Sequence, residues 1–370
     1  MSGSNSSSKE NSPSRSSSNS GRSRRPGPPL PPLPVPVNPQ PQPPPIQLPP
    51  HISVHQNGQT LSLDSKNLLV EYELGRGAYG VVEVMRHNAS DFRLAVKRIR
   101  ATDVEEEKKR LSIEVTVMKR AQCPFLVSCY GAMFREGDVW IGMEIMDCSM
   151  DQFYRQCQDM ERSIPENVLS KMAYAIVIGL NYMKQKLYMM HRDVKPSNVL
   201  LNRTGEVKLC DFGISASLRD SVEKTRQAGA KPYMAPERIF GNRQDRYDWT
   251  SDVWSLGISL IEVATGTHPY SRWKSIWEQL NQVVNQPSPS LPDSDKFSLY
   301  FHDFVNHCLN KNFEKRPSYE QLLIHPWIME SDDTNVNNFI ATVIDARNRA
   351  EEELPEYNDF EMVTLAELNA

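Results

Sequence analysis

The stretch His191-Arg192-Asp193-Val194-Lys195-Pro196-Ser197-Asn198, with Asp211-Phe212-Gly213 downstream of it, decides the fold of this chain. Asp211 and Asn198 offer the oxygen ligands that Mg²⁺ prefers when it bridges nucleotide phosphates. Asp193 can accept the proton of a hydroxyl nucleophile, and Lys195 can offset charge on a phosphoryl group during its transfer. Each piece alone also fits an ordinary turn, so it is their order and spacing that indicate a phosphoryl-transfer site.

A glycine-rich stretch lies upstream, between two strand-like runs. It reads Leu74-Gly75-Arg76-Gly77-Ala78-Tyr79-Gly80-Val81-Val82. Glycines let backbone amides approach phosphate oxygens closely and adopt positive φ angles. No helix follows the last glycine, which excludes a dinucleotide-binding fingerprint. On its own the stretch also fits a simple hairpin turn.

Lys97 follows on the next predicted strand. Strand alternation places Ala95, Lys97 and Ile99 on one face, where a lysine among apolar residues needs an anion. Glu114 lies on the packed face of the predicted helix that follows, where an unpaired carboxylate would also be costly. The sequence therefore predicts a Lys97–Glu114 ion pair close to the phosphates. The alternative is a surface lysine on an edge strand.

The coarse pattern predicts an α+β fold of two lobes: a small antiparallel β-sheet lobe with one main helix, then a larger, mainly helical lobe. A capping box at residues 102–105 predicts the start of the main helix. The predicted strands are Leu68–Glu73, Val81–Arg86, Leu94–Ile99 and Val139–Met143, and the predicted long helices are Pro165–Met183, Asp252–Ala264 and Leu299–Leu309.

Composition divides the 370 residues into four parts. Residues 1–65 are rich in Ser and Pro and are predicted to be a disordered tail. Residues 68–328 have a globular composition. Residues 329–350 contain an amphipathic helical pattern, and residues 351–370 form an acidic tail that is expected to be solvated.

The net charge of −4 argues against a nucleic-acid-binding protein held by bulk positive charge. The six cysteines show no paired spacing, which indicates a reducing compartment without disulfide bonds or a zinc site. No apolar run approaches the length of a membrane span, and the N-terminus does not resemble a secretory signal. We therefore expect a cytoplasmic protein, with nuclear entry left open.

Taken together, these motifs resemble a complete protein-kinase domain over residues 68–328. Their order matches the set of residues that carries out phosphoryl transfer in protein kinases. The resemblance implies that ATP and Mg²⁺ bind. It implies that Leu74, Val82, Ala95 and Leu200 sandwich the adenine, that Met143 is the gatekeeper, that Glu144 to Met146 form the hinge, and that Lys97 and the stretch 74–82 hold the phosphates. It also implies pairing of Glu237 with Arg316, and support of the catalytic loop by Asp252.

Several stretches narrow the resemblance to MAP kinase kinases, and within them to the branch that activates stress-activated MAP kinases. They are residues 74–82, 95–102, 134–140 and 231–239. Lys195 is typical of Ser/Thr-type kinases, and the family phosphorylates both Thr and Tyr of a Thr-x-Tyr segment in a MAP kinase. Ala230 departs from the family, where Cys is usual. The alternatives are a pseudokinase scaffold and an adaptor that acts through its Pro-rich tail.

The segment between Asp211 and Glu237 contains Ser221 and Thr225, at the spacing of the family's activating phosphosites. A phosphate adds about −1.5 to −2 charge and can order a loop through charge-assisted hydrogen bonds, with Arg192 as the nearest cation. The resemblance therefore implies activation by an upstream MAP kinase kinase kinase. The alternative is that these are two ordinary loop hydroxyls.

The tails suggest docking segments. Arg22-Ser23-Arg24-Arg25, followed by spaced aliphatic residues up to Val37, resembles a MAP-kinase docking motif, while Pro29–Pro32 also fits an SH3 or scaffold ligand. In the C-terminal part, apolar residues recur at helical spacing at Val336, Phe339, Ile340, Val343 and Ile344. In the family a segment here binds the upstream kinase. The alternative is a helix that only packs on the large lobe.

Overall fold

The computed structural model describes residues 49, 51–56, 58–77, 80–100, 105–212, 232–240, 249–270, 273, 275–293, 295–332 and 334–352. Contacts divide the chain into Met1–Pro44 and Pro45–Ala370, and the described residues all belong to the second unit. The predicted N-terminal docking motif, the activation-segment residues Ser221 and Thr225, and the acidic tail from residue 353 onward lie outside the described residues.

An antiparallel hairpin precedes the segment that was predicted to be globular. Strands β1 (His51–Gln56) and β2 (Gln59–Asp64) pair so that Ile52 faces Leu63. Both side chains and Val54 are buried in a small cluster with Leu94 and other residues of the next sheet. The prediction of a disordered tail is therefore wrong for residues 51–64. Their apolar alternation is short, and it is stabilised only because the neighbouring sheet offers a surface to cover.

The small lobe is a five-stranded antiparallel sheet with the order β3-β4-β5-β7-β6. Its strands are β3 (Leu68–Gly77), β4 (Gly80–His87), β5 (Arg93–Arg100), β6 (Cys129–Arg135) and β7 (Asp138–Met143). All four predicted strands lie within observed ones. The central strand β5 is buried on both faces, with Leu94 and Val96 toward the hairpin and Ile99 toward the main core.

The main helix of the small lobe, α1 (Glu105–Arg120), packs beside β6. Val115 and Met118 are buried on it, as the helical spacing predicted. The predicted capping box begins at residues 102–104, which lie outside the described residues.

The large lobe is mainly helical, as predicted, and its core is continuous with that of the sheet above. A small antiparallel sheet of β8 (Cys148–Ser149), β9 (Val199–Leu201) and β10 (Val207–Leu209) lies where the lobes meet. The helices are α2 (Met150–Asp159), α3 (Glu166–Tyr182), α4 (Pro236–Phe240), α5 (Thr250–Thr265), α6 (Ile276–Leu280), α7 (Leu299–Cys308), α8 (Tyr319–Leu323), α9 (Pro326–Met329) and α10 (Val336–Glu352). Within the described residues, no helix is both long and apolar enough to cross a bilayer.

Helix α10 confirms the predicted amphipathic pattern and shows what its apolar face contacts. Val336, Ile340, Val343 and Ile344 are buried in the core of the large lobe, and Phe339 contacts Phe153 edge-on. The apolar face is therefore already covered. The alternative of packing on the large lobe therefore accounts for the apolar pattern, and docking of the upstream kinase by this segment stays a prediction.

Candidate active site

A buried histidine holds the catalytic loop, residues 191–198, in place. His191 is 1% exposed, and its Nε2 lies 2.9 Å from the carbonyl oxygen of Cys210. Its Nδ1 accepts a hydrogen bond from the backbone amide of Asp193 at 3.3 Å. Since Nδ1 accepts, the proton is assigned to Nε2, which donates to Cys210. The ring ties the catalytic loop to the end of β10, where Asp211 follows.

Asp252, on the buried helix α5, supports the same loop from the other side. Its two carboxylate oxygens accept hydrogen bonds from the backbone amides of His191, at 3.0 Å, and Arg192, at 2.8 Å. Burial raises the pKa of Asp252, although the positive charge of Arg238 and these amides oppose the rise. Arg192 has a positive φ of 66°, an unusual conformation for a residue with a side chain. The predicted role of Asp252 is confirmed, because its carboxylate holds this loop in place.

Asp193 lies at the centre of a small polar cluster. Lys195 Nζ is 3.0 Å from Asp193 Oδ2. Asn198 Nδ2 donates both to the same oxygen, at 2.9 Å, and to the carbonyl of Asp193, at 2.8 Å. The Asp193 side chain is 23% exposed, so it is fixed in direction while it remains accessible to a substrate hydroxyl. This is the geometry that a proton acceptor needs.

Lys97 meets Asp211 across the gap between the lobes. Their Nζ and Oδ1 atoms are 2.6 Å apart, and the lysine side chain is only 10% exposed. Lys97 does not pair with Glu114, so the predicted ion pair is wrong in this structure. Glu114 is half-buried on α1. A backbone bridge between Leu126 and Leu209 joins the end of β10, two residues before Asp211, to the segment that leads into β6.

The glycine-rich stretch covers the end of β3 and the start of β4, where Gly77 pairs with Gly80. At Gly80, φ is +151° and an added β-carbon would lie 1.8 Å from the carbonyl oxygen of Arg98, so only glycine fits. At Gly75, nothing lies within 4 Å of an added β-carbon. Ala78 and Tyr79, which follow Gly77 in the sequence, lie outside the described residues.

The residues predicted to surround the adenine lie on five strands, β3, β4, β5, β7 and β9, and in the hinge. Ala95 on β5 pairs with Met143 on β7, and Val82 on β4 pairs with Lys97. Ala95, Met143 and Met146 are buried, whereas Leu74, Val82 and Leu200 are partly exposed. The site thus has apolar walls that end at a lysine, which is suited to a flat base with attached phosphates.

The hinge contains a buried ion pair that the sequence interpretation missed. Glu144 accepts hydrogen bonds from Lys208 Nζ, at 2.8 Å, and from the Ser128 amide, at 2.6 Å. The Lys208 side chain is 8% exposed. Lys208 lies between Val207 and Leu209 in a strand, so the argument that assigned an anion to Lys97 would also have predicted a partner for Lys208.

The residues present fit a nucleotide with a divalent metal ion. Asn198 Nδ2 donates two hydrogen bonds to Asp193, and Asn198 Oδ1 accepts no hydrogen bond within the described part of the chain. The Cys210 amide donates to the carbonyl of Asn198 at 3.0 Å, which places Asn198 beside the residue that precedes Asp211. Asn198 and Asp211 would hold the metal, which supplies positive charge against the phosphates.

Comparison with known proteins agrees with this geometry. The sequence model of the protein kinase domain matches residues 68–328. Dual specificity mitogen-activated protein kinase kinase sek-1 of Caenorhabditis elegans is 47% identical over 298 residues, which cover 80% of this chain and 89% of sek-1. MAP kinase kinase mkk-4 of the same organism is 45% identical over 267 residues, covering 70% and 73% of the two chains.

The chain belongs to the MAP kinase kinase family of protein kinases. A third relative, dual specificity mitogen-activated protein kinase kinase hemipterous of Drosophila melanogaster, is 42% identical over 299 residues, which cover 80% of this chain and 25% of hemipterous. This MAP kinase kinase is accordingly an enzyme, a dual-specificity protein kinase that uses ATP and a divalent metal ion.

A second buried ion pair completes the large lobe of the kinase. Arg316 donates to both carboxylate oxygens of Glu237, at 2.7 and 2.8 Å, and their side chains are 0% and 8% exposed. Ser251 also donates to Glu237 at 2.8 Å. The pair predicted from the resemblance is therefore confirmed. It joins α4, at the end of the activation segment, to the body of the lobe.

Proposed function

We propose that this kinase transfers the γ-phosphoryl group of Mg²⁺-bound ATP to both Thr and Tyr of a Thr-x-Tyr segment in a stress-activated MAP kinase. The observation that carries the proposal is the cluster in which Lys195 and Asn198 orient Asp193. Asp193 takes the proton of the acceptor hydroxyl as that oxygen bonds to the γ-phosphorus and the bond to ADP breaks. Lys195 offsets negative charge on the group in transfer. The likeness of residues 74–82 and 231–239 to the stress-activated branch supports the substrate class.

The decisive experiment incubates the activated protein with ATP, Mg²⁺ and kinase-dead MAP kinases that differ in the middle residue of Thr-x-Tyr. Phosphate on both Thr and Tyr of a stress-activated member, mapped by mass spectrometry, is the expected result. Asp193→Asn is the control, since it keeps the shape of the side chain and removes its basicity. Phosphate on neither residue of any member would contradict the proposal. Replacement of Mg²⁺ by Ca²⁺ in the same assay tests the metal.

Activation is proposed to come from an upstream MAP kinase kinase kinase that phosphorylates Ser221 and Thr225. Moving a loop from a 1:99 to a 99:1 population needs about 5.5 kcal/mol, and a charge-assisted bond contributes about 1.5–3 kcal/mol. At one such bond per phosphate, two phosphates can reach this free energy and one phosphate cannot. Ser221→Ala combined with Thr225→Ala should abolish activation by the upstream kinase. Full activation of this double variant would remove the hypothesis.

The N-terminal segment is proposed to dock the MAP kinase through its arginines and aliphatic residues. Deletion of residues 20–38 should raise the KM for the folded MAP kinase and leave the KM for a short peptide unchanged. An equal effect on both substrates would discard the docking proposal; the alternative for the Pro-rich segment is an SH3 or scaffold ligand. A cytoplasmic location with nuclear entry is proposed on composition, and imaging of the tagged full chain tests it.

A further inference from the structure

The C-terminal helix α10 reaches back to the segment that follows the hinge. Arg347 donates a hydrogen bond to the carbonyl oxygen of Asp147 at 3.2 Å. Two residues earlier on the helix, Asp345 accepts from Arg203 Nη2 at 2.9 Å, and the backbone amide of Arg203 donates to Asp147 Oδ2 at 2.6 Å. Asp147 is thus held at its carbonyl by the helix and at its carboxylate by Arg203, which the helix also holds. We call Asp147, Arg203, Asp345 and Arg347 the hinge bracket.

The hinge bracket connects directly to the adenine site. Asp147 follows Met146, the last residue of the hinge, and its amide donates to the carbonyl of Leu201 at 3.0 Å. The strand that begins next pairs with β9, so that Ser149 lies opposite Leu200. Leu200 is the residue expected beneath the adenine. A displacement of Asp147 would therefore move the hinge and the floor of the adenine site together.

The remainder of α10 gives the hinge bracket a rigid base. Ile340 and Ile344 are fully buried in the large lobe. An added β-carbon at Gly205, in the turn between β9 and β10, would lie 2.3 Å from Asn337 Oδ1, so the turn and the helix are in close contact. Because the helix cannot shift easily against the lobe, the guanidinium of Arg347 presents its donor at a defined position. Rigid elements of this kind transmit small displacements to a site.

We propose that Arg347 is a positioning residue for nucleotide binding, which acts through Asp147 to hold the hinge against β9. The proposal deepens the proposed function, since it rests on the adenine lying between β5 and Leu200. The C-terminal helix then contributes to the affinity for ATP, whereas its apolar face alone would indicate only that it packs on the large lobe. The hinge bracket positions the site, so its loss weakens nucleotide binding and leaves the chemical step intact.

The test measures binding of Mg-ADP to the full-length protein by calorimetry, which requires no protein substrate. Its failure is therefore distinguishable from failure of the Thr-x-Tyr proposal. Arg347→Ala should raise the Kd for ADP, and the KM for ATP, by about two- to tenfold with kcat unchanged at saturating ATP. Arg347→Lys, which keeps a cationic donor, should recover part of the loss. Arg349→Ala is the matched control, because Arg349 is exposed and, within the described residues, bonds only the Asp345 carbonyl of its own helix.

Arg203→Ala provides a second variant on an exposed residue, in case Arg347→Ala does not fold. It removes the ion pair to Asp345 and should raise the Kd for ADP by a smaller factor than Arg347→Ala. A melting temperature that falls in Arg347→Ala while its Kd stays at the wild-type value would overturn the proposal, since the contact would then only anchor the helix. Equal shifts in Kd for Arg347→Ala and Arg349→Ala would also overturn it, as would a wild-type Kd in Arg203→Ala.

Discussion

Removal of Arg316 tests the buried ion pair on which the large lobe depends. Arg316 bonds both oxygens of Glu237 and also the carbonyl oxygens of Asn310 and Thr250, at 2.8 and 2.9 Å. Arg316→Ala would leave the Glu237 carboxylate buried, with the Ser251 hydroxyl as its remaining side-chain partner among the described residues. Breaking a buried pair from one side typically costs about 3–5 kcal/mol, because the other charge stays uncompensated. For a domain of this size, we expect the melting temperature to fall by about 6–20 °C.

The assay is urea unfolding followed by circular dichroism, with thermal melting alongside it. Arg155→Ala is the matched control, since Arg155 is 65% exposed and lies 3.7 Å from Asp151 on the same helix. Exposed pairs contribute about 0–1 kcal/mol, so this variant should unfold close to wild type. In a double-mutant cycle, the variant that carries both Glu237→Gln and Arg316→Ala should lose less free energy of unfolding than the two single variants lose in sum. The reason is that the uncompensated carboxylate charge is then gone.

The same pair predicts the pH dependence. Burial alone would raise the pKa of Glu237, but the hydrogen bonds and charge of Arg316 lower it below its usual value of 4.5. A lowered folded-state pKa contributes stability that is complete above the unfolded value and is lost as the pH falls through the folded value. The difference between wild type and Arg316→Ala should therefore shrink below pH 4.5. A destabilisation by Arg316→Ala under about 1 kcal/mol at neutral pH would refute the reasoning.

Three further changes test other parts of the structure. Asp252→Asn should lower kcat by about ten- to hundredfold with little change in the KM for ATP, because a carboxamide cannot accept hydrogen bonds from both backbone amides of the catalytic loop. Steady-state kinetics measures both constants, and an unchanged kcat would contradict the prediction. Gly80→Ala should lower the melting temperature by several degrees, because its β-carbon would lie 1.8 Å from the Arg98 carbonyl oxygen, whereas Gly75→Ala, with open space around it, should melt as wild type does. Leu63→Ala should destabilise the protein by about 2–5 kcal/mol in urea unfolding, since this hairpin residue is 0% exposed, and wild-type stability would mean that the hairpin is not packed.

The strands and long helices could be predicted because each carries its own periodic pattern. Val115 and Met118 on α1 are spaced so that a helix buries both, whatever the rest of the chain does. The hairpin at residues 51–64 could not be found in the same way. Ile52 and Leu63 alternate over two short strands that would be marginal alone, and their burial depends on contact with Leu94 of a distant strand.

The residues of the candidate site also differ in how far the sequence alone could predict them. The order of Asp193, Asn198 and Asp211 identified phosphoryl-transfer chemistry, because few other functions need those donors at that spacing. The sequence could not show which carboxylate pairs with Lys97. Both Glu114 and Asp211 are acidic, and the sequence holds no measure of which carboxylate lies nearer.

By itself, then, the sequence determined the two-lobed kinase fold, the chemical identity of the catalytic groups and the family, since local periodicity and motif spacing are properties of the chain order. Only the tertiary structure decided which polar groups pair: Lys97 with Asp211, Lys208 with Glu144, and Arg347 with the Asp147 carbonyl oxygen. The physical reason is that a Coulomb or hydrogen-bond partner is selected by distance and burial within a few ångströms. Those distances are fixed when elements far apart in the chain pack around a common core.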